Sequence, residues 1–155
     1  MSLAEQVPSG TELAWRRFIE TSARLSTAVD DELRRDGGMT LADYHVLLLL
    51  TEAPEGRLRM KEIAQRMVFS ASRLTYQMDQ LCKRGWLRRE AVAEDRRGSY
   101  AALTPEGRAA FAAAAAGHRA LVTELFFDVL SPEQASHLVA AMDVLATQLD
   151  ERTKP

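Results

Sequence analysis

The sequence has few of the residues, and none of the runs, that mark exported, membrane-embedded or disulfide-bonded proteins. Its one cysteine, Cys82, excludes an internal disulfide and any cysteine-only metal site within one chain. No apolar run approaches the roughly 20 residues needed to cross a bilayer. The amino terminus carries no basic stretch followed by an apolar one. We therefore expect a cytoplasmic protein without membrane association.

Sequence motifs typical of enzymes are also missing. There is no glycine-rich phosphate loop, no nucleophile elbow and no paired histidine–carboxylate motif. The histidines His45, His118 and His137 lie on three different predicted helices and form no His-x-x-x-His pair. We expect neither catalysis nor a resident metal or cofactor.

Charge is unevenly distributed along the chain, although the formal net charge is only −2. Residues 57–108 carry 12 Lys and Arg against 6 Asp and Glu, whereas the rest of the chain holds 8 basic and 16 acidic residues. Phosphate binding needs such a local basic patch, which the global sum hides. On charge alone, a solvated charged surface explains the pattern equally well.

Hydrophobic spacing, caps and breakers predict a mainly α protein with one small β-hairpin. Two strand-like runs, residues 86–92 and 99–103, flank the charged loop 93–98 and are typical of a hairpin. Thr40, Thr104 and Ser131 are typical helix caps. The six predicted helices cover residues 11–35, 41–50, 58–67, 70–84, 105–129 and 132–149.

This order of elements is typical of a winged helix-turn-helix protein with long amino- and carboxyl-terminal helices. We predict a DNA-binding lobe over residues 40–104 and a dimerisation region formed by residues 11–35 and 105–152. The apolar faces of the terminal helices need a partner, and a second copy of the chain is the simplest one.

The helix that begins after Ser70 is the candidate for reading DNA. Its apolar stripe, Leu74, Met78 and Leu81, is spaced to face inward, which leaves polar side chains on the other side or at the helix start. Arginine there can contact a guanine edge and glutamine an adenine edge, while hydroxyl groups can bind phosphates. A solvated helix would look similar. The candidate DNA-binding residues are Ser70, Ala71, Ser72, Arg73, Thr75, Tyr76, Gln77 and Gln80.

The loop of the predicted hairpin adds two guanidinium groups, those of Arg96 and Arg97. Such a tip can enter the narrow minor groove, whose negative potential attracts arginine, and Asp95 can orient Arg97. The alternative is a solvated charged turn, which does not explain why a helix-turn-helix comes directly before it.

Together these segments resemble the multiple-antibiotic-resistance regulator (MarR) family over roughly residues 11 to 150. The resemblance lies in Leu-Arg-Met-Lys-Glu-Ile-Ala from residue 58, Ser-Arg-Leu-Thr from residue 72, Leu-Cys-Lys-Arg-Gly-Trp-Leu-Arg-Arg from residue 81, and Asp-Arg-Arg-Gly-Ser-Tyr-Ala-Ala-Leu-Thr-Pro-Glu-Gly from residue 95. It implies that the terminal helices dimerise and that the Ser70 helix enters the major groove and the wing the minor groove. It also implies a ligand cleft between the dimer helices and the DNA-binding lobe.

The sensing residues are less well defined. Trp15, Phe18, Tyr44 and His45 can line a cleft for a small aromatic or anionic effector, with Arg16 or Arg17 as the counter-charge. A role of Trp15 and Phe18 in the dimer core explains those two residues at least as well. Zinc-sensing members of the family use clustered histidines and carboxylates, and peroxide-responsive members use a cysteine near the amino terminus. This chain has neither.

We therefore predict a sequence-specific, double-stranded-DNA-binding transcriptional regulator, a ligand-responsive repressor that acts as a homodimer on a palindromic operator. The alternative is a winged-helix module that binds proteins and has lost DNA binding. Such a module would lack basic residues on the reading helix and the wing, where Arg73, Arg96 and Arg97 stand.

Overall fold

A computed structural model describes residues 9–67, 70–92 and 95–153; of residues 71, 92, 95–97 and 153 only the backbone is described. The described helices are α1 (Gly10–Asp36), α2 (Leu41–Glu52), α3 (Met60–Met67), α4 (Ala71–Lys83), α5 (Pro105–Val122) and α6 (Pro132–Thr153). The strands are β1 (Arg57–Arg59), β2 (Leu87–Val92) and β3 (Asp95–Leu103).

The predicted fold class, mainly α with a small β-hairpin, is confirmed. The sheet contains a third strand, β1, that was not predicted. The antiparallel sheet has the order β1-β3-β2. Leu58 pairs with Ala101 and is buried between the exposed Arg57 and Arg59. The prediction of a helix from residue 58 was therefore wrong for its first two residues, because pairing with β3 outweighs their local helical spacing.

Other boundaries differ from the predicted ones as well, and two of them lie in the wing and in the fifth helix. Residues 95–98, expected in a loop, continue strand β3. The fifth helix, predicted to run to residue 129, ends as an α-helix at Val122 and continues as a π-helical turn, Thr123–Phe127.

The predicted helix caps are confirmed by hydrogen bonds. Thr40 and Asp43 form a reciprocal capping box at the start of α2, with distances of 2.8 and 3.0 Å. Ser131 and Gln134 form another before α6. The Thr104 hydroxyl accepts the Gly107 N–H at 3.0 Å, and it also donates to the Trp86 carbonyl at 2.9 Å. The bond to Trp86, the residue before β2, holds the start of α5 against the sheet.

The apolar core lies around α2. Its side chains Val46, Leu47 and Leu50 are fully buried. Ile63 of α3 and the α4 stripe Leu74, Met78 and Leu81 are buried as well, which confirms the inward face predicted for α4. Burying a large aliphatic side chain stabilises a fold by roughly 1.5–3 kcal/mol, so this cluster fixes α4 in the lobe.

Contacts divide the chain into two compact units, residues 1–118 and residues 119–155. Among the described residues of the second unit, none is buried. Several of its large apolar side chains are more than half exposed: Phe127, Val129, Val139, Val144 and Leu149. In the described part of the chain, no helix combines the length and the apolar character needed to cross a membrane.

Candidate nucleic-acid interface

Helix α4 presents a polar face opposite its buried stripe. Ser70 caps the helix by accepting a hydrogen bond from the Arg73 N–H at 3.3 Å. The side chains of Ser72, Arg73 and Thr75 are exposed, and Tyr76 is 65% exposed, which is unusual for an aromatic residue on a well-packed lobe. A polar, partly aromatic helix face with a firmly buried back is what a reading helix requires.

Two of the residues predicted on this face are placed differently from the rest. Gln77 and Gln80 are half-buried, and the Gln77 side-chain amide donates to Oδ1 of Asp43 on α2. In this arrangement Gln77 is bound within the lobe. Its predicted contact with adenine stays a prediction.

The partner of Gln77 is Asp43, a buried residue of α2 that the candidate residues predicted from the sequence did not include. Asp43 as a whole residue is 5% exposed. Besides the Thr40 N–H and Gln77, the carboxylate faces the Arg84 guanidinium, with 3.7 Å between Oδ2 and Nη1. Arg84 also donates to the Gly38 carbonyl and lies over the Trp86 ring at 3.8 Å. The sequence marks Asp43 only through the capping-box spacing from Thr40. That spacing gives no information about the contacts of Asp43 with Gln77 and Arg84.

The predicted wing corresponds to β2, β3 and their connection. Glu90 of β2 and Arg59 of β1 both pair with Tyr100 of β3. Two guanidinium groups, those of Arg57 and Arg59, lie 5.2 and 5.5 Å from the centre of the Tyr100 ring. Arg57 is also paired with Glu90 at 3.4 Å, so part of the positive charge of this sheet is balanced locally. The predicted roles of Ala71, Asp95, Arg96 and Arg97 depend on side chains that lie outside the described residues.

A cavity of about 590 Å³ lies where α1, α2, α3 and α4 meet. This volume is in the range of small-molecule sites. Among the described residues of its walls, two guanidinium groups stand against one carboxylate, so the net charge of the lining suits an anion. The lining residues are Ser26, Thr27, Asp30, Arg34, Thr40, Leu41, Ala42, His45, Met67, Arg73 and Gln77.

The carboxylate in the wall of this cavity, that of Asp30, accepts hydrogen bonds from donors of the protein itself. Asp30 accepts the Leu41 N–H at 2.7 Å and the Arg34 Nε at 2.5 Å. Burial raises the pKa of the Asp30 carboxyl, but these two contacts outweigh it, and the pKa lies below its ordinary value. Asp30 is therefore ionised at neutral pH and holds Arg34 on the cavity wall.

The residues predicted to bind an effector are not brought together in this cavity. Only His45 lines it. Trp15, Arg16 and Phe18 are exposed near the start of α1, and Trp15 lies about 22 Å along the helix from Asp30. Tyr44 is buried elsewhere in the lobe. Their role in effector binding stays a prediction.

Tyr44 belongs to a polar cluster formed by α1, α2 and α5, in which Tyr44 and Glu32 are buried, His118 is half-buried and His45 is exposed. Its ring lies 4.2 Å from the His118 ring and 5.0 Å from the Phe111 ring. Burial and the nearby Glu32 carboxylate raise the pKa of Tyr44. Desolvation lowers the pKa of His118, and desolvation together with the charge of His118 lowers the pKa of His45. The cluster therefore favours neutral histidines at neutral pH.

The single cysteine does not have the environment of a reactive thiol. Cys82 is half-buried on α4. Burial raises the pKa of its thiol above the ordinary value, and only Arg89 opposes the shift. Because the thiolate is the reactive form, this environment favours a structural role for Cys82. In the part of the chain that the structure describes, no group of three or more metal-ligating side chains could hold a metal ion.

Two short helices followed by an antiparallel sheet, with an exposed polar face on the second helix, define a winged helix-turn-helix protein. The model of the MarR family matches residues 37–98. The crystal structure of Sco3205, a MarR family transcriptional regulator from Streptomyces coelicolor in complex with DNA, is 38% identical, with 97% of this chain and 92% of that chain covered and a TM-score of 0.87. The chain belongs to the MarR family of transcriptional regulators, as its sequence motifs indicated.

Of two further relatives, one is named a repressor and the other has a structure with a bound ligand. The HTH-type transcriptional repressor MdtR of Bacillus subtilis is 27% identical over 154 residues, which cover 98% of this chain and 95% of that protein. The structure of CouR from Rhodococcus jostii RHA1, bound to p-coumaroyl-CoA, is 25% identical, with 82% and 87% of the two chains covered and a TM-score of 0.71.

Proposed function

We propose that this protein is a homodimeric repressor that binds a near-palindromic operator in the cytoplasm and responds to a small aromatic or anionic effector. The observation that carries the proposal is the exposed polar face of α4, with Arg73 and Tyr76 outward and the opposite stripe buried. Sco3205, which is similar along nearly the whole chain, was crystallised with DNA. MdtR carries the name of a repressor.

Reading by this helix follows from what each exposed side chain can contact. The fork of Arg73 fits the O6 and N7 edge of guanine, and the hydroxyls of Ser70, Ser72 and Thr75 fit phosphates near the helix start. Tyr76 offers an apolar ring with a polar end, which suits a base methyl group or a sugar. A two-fold dimer would present two such helices to half-sites about one helical turn apart.

Dimerisation is supported by apolar side chains that the single chain leaves uncovered. In α1 these are Leu13, Trp15, Phe18 and Ile19, each at least 39% exposed. Residues 119–155 add a second set. Large apolar side chains exposed in such numbers are typical of an interface. Because both sets lie in the segments predicted to dimerise, a second copy of the chain is the partner we propose.

The effector response is supported by the cavity beside the reading helix. Arg73 lines this cavity and also belongs to the exposed face of α4, so one side chain can serve either an anion or DNA. An anion held by Arg34 and Arg73 would withdraw Arg73 from the operator. CouR was crystallised with a coenzyme A thioester, which is an aromatic and anionic ligand.

Selection of binding sites from random duplexes tests the proposal. Wild type should recover a near-palindrome. Arg73→Ala should bind that site less tightly by about 1–3 kcal/mol and lose preference at the position it reads, with little change on random DNA. Glu52→Ala, which removes an exposed side chain of α2 outside α4 and outside the segments proposed to dimerise, is the control and should behave as wild type. Arg97→Ala, chosen from the sequence, should weaken binding to all duplexes and lower the slope of log K against log salt by about 1.

Three results would count against parts of this proposal. Absence of salt-dependent binding to any duplex would favour the protein-binding module. Identical motifs from wild type and Arg73→Ala would assign Arg73 to phosphate contacts and remove it from base reading. Benzoate or p-coumaroyl-CoA, added at millimolar concentration, should weaken operator binding by wild type and less so by Arg34→Ala; no effect of either would leave these effector classes unsupported.

A further inference from the structure

Asp43 is one of the two polar or charged residues that the structure buries almost completely among those described. A buried carboxylate destabilises the fold unless hydrogen-bond donors satisfy it. Removing one partner typically lowers the stability by more than the hydrogen bond itself contributes. The partners of Asp43 are therefore informative. They come from the α2 cap, from the middle of α4 and from the residue that ends α4.

The two α4 partners are placed so that together they fix the helix. Gln77 and Arg84 are seven residues apart, which on an α-helix is two turns, about 10 Å, and nearly the same face. One attachment alone would allow α4 to pivot, whereas two attachments along one face also resist rotation about the helix axis. Arg84 extends the second attachment to the Gly38 carbonyl, which lies just before α2.

Rotation of this helix matters for the residues on its outer face. An atom about 8 Å from the axis of α4 moves by nearly 3 Å when the helix turns by roughly 20°, and that distance is as long as a hydrogen bond. The outward side chains of Arg73 and Tyr76 lie within one turn of Gln77. Apolar packing of Leu74 and Met78 is non-directional and fixes rotation less sharply than a hydrogen bond to a buried carboxylate.

We propose that Asp43 is a positioning residue for the reading helix and that Gln77 is its tether and not a reader of bases. The inference rests on the proposed function, because its consequence is sequence discrimination on DNA. Asp43 touches no base in this scheme. It holds α4 at the rotation at which Arg73 and Tyr76 face the groove.

The test uses the full chain and a pair of substitutions that reverse donor and acceptor. Gln77→Glu sets two carboxylates against each other and should break the tether. Asp43→Asn should be tolerated, because the new carbonyl can accept the Thr40 N–H while the new amide donates to a flipped Gln77. In the double variant Asp43→Asn/Gln77→Glu, the asparagine amide donates to the new carboxylate, and the total charge equals that of wild type.

The measured quantity is the ratio of affinities for the selected operator and for random duplex, at a temperature where circular dichroism shows every variant folded. Gln77→Glu should lower this ratio roughly tenfold, as expected for one lost buried hydrogen bond, and the double variant should recover it to within about threefold of wild type. Glu52→Ala is the control: it removes another carboxylate of α2, one that is exposed and lies outside the segments proposed to dimerise. It should leave the ratio unchanged.

The same four proteins (wild type, the two single variants and the double variant) should also be unfolded with urea. The free energies of unfolding should show favourable coupling between the two substitutions. A double variant that discriminates no better than Gln77→Glu would show that Gln77 reads a base and would overturn the inference. Additive unfolding energies would show that the tether does not exist. If wild type bound no DNA at all, the proposed function would fail by itself, while the unfolding cycle would still decide the tether.

Discussion

The core around α2 and the segment 119–155 contain similar apolar residues, but the core buries them and the segment leaves them exposed to solvent. Leu47 in α2 is fully buried, whereas Leu149 in α6 is 64% exposed. Helix α2 is apolar nearly all round and is covered by its neighbours, while α6 carries a spaced stripe that includes Leu138, Met142 and Leu145. Composition alone would not separate the two regions.

The difference shows that the first region completes its core within one chain and that the second does not. A helix that is hydrophobic all round belongs inside a lobe, whereas a one-sided stripe belongs at a surface that another surface covers. Exposed aliphatic side chains in such a stripe contribute little stability until they are buried. The DNA-binding lobe should therefore be stable at any protein concentration, and the segment 119–155 should depend on association.

The largest effect that this comparison predicts comes from a charge in the α6 stripe. Leu145→Asp should convert the proposed dimer into a monomer, because an unpaired carboxylate buried in an interface costs about 3–5 kcal/mol and a two-fold dimer contains it twice. Light scattering at micromolar concentration should give the mass of one chain in place of two. Operator affinity should fall with it, since both half-sites are no longer bound together.

Two control variants separate association from folding. Gln148→Asp places the same charge on an exposed polar position of α6 and should stay dimeric. Leu47→Ala should destabilise the lobe by about 2–5 kcal/mol, with a loss that does not depend on protein concentration. A monomeric wild type, or a Leu145→Asp variant that remains dimeric, would break the comparison.

An intermediate effect is expected at Gly107, where the lobe holds the first turn of α5. A Cβ atom at this position would lie 2.1 Å from the Trp86 carbonyl oxygen and 2.9 Å from the Leu103 side chain. That carbonyl already accepts the Thr104 N–H at 3.1 Å, so it cannot move without losing a bond. Gly107→Ala should therefore destabilise the protein by roughly 1–3 kcal/mol, despite the better helix propensity of alanine.

Gly10 provides the matched glycine. A Cβ atom there would meet nothing within 4 Å, so Gly10→Ala should be neutral or stabilise by up to about 1 kcal/mol. Urea unfolding of both variants is the measurement. If Gly107→Ala proved as stable as Gly10→Ala, the docking of α5 on the sheet would not be the constraint that we describe.

The smallest effect is a pH dependence that should be confined to the first region. The pKa values of His45 and His118 are lowered in the fold from an ordinary value of 6.5. Below pH 6.5 the unfolded chain therefore binds more protons than the folded one, and stability should fall as pH drops toward the lowered values. Above pH 6.5 these two histidines should add no further change.

Substituting each histidine in turn separates the regions. His118→Gln should make the decline in unfolding free energy between pH 7.5 and 5.5 shallower, because one of the two desolvated imidazoles is gone. His137→Gln, in the exposed face of α6, should leave the decline as in wild type. Equal slopes for wild type and His118→Gln would mean that the cluster around Tyr44 does not contribute to the pH dependence.

Much of the fold was predictable because its signals are local. The caps at Thr40, Thr104 and Ser131 act over three residues, and the stripe of α4 repeats every three or four. The MarR family motifs are likewise short and contiguous. The exposed and buried sides of α4 were therefore assigned correctly among the residues with described side chains, apart from Gln77 and Gln80, which are half-buried.

What could not be predicted depends on residues far apart in sequence. Strand β1 forms because Leu58 meets Ala101, and Gln77 is bound because Asp43 lies opposite it, 34 residues earlier. Spacing rules carry no information on such pairs, since loop closure lets almost any two segments meet. The cavity has the same origin: its walls come from four helices, and only His45 among the predicted effector residues reaches it.

Local sequence thus accounts for the helices, their caps, the buried side of α4 and the family to which the chain belongs. Packing between distant segments set the third strand, the burial of Asp43 and the cavity beside Arg73. The physical reason is range: backbone hydrogen bonds and side-chain periodicity act within about four residues, whereas a buried carboxylate finds its donors only after the core has closed around it.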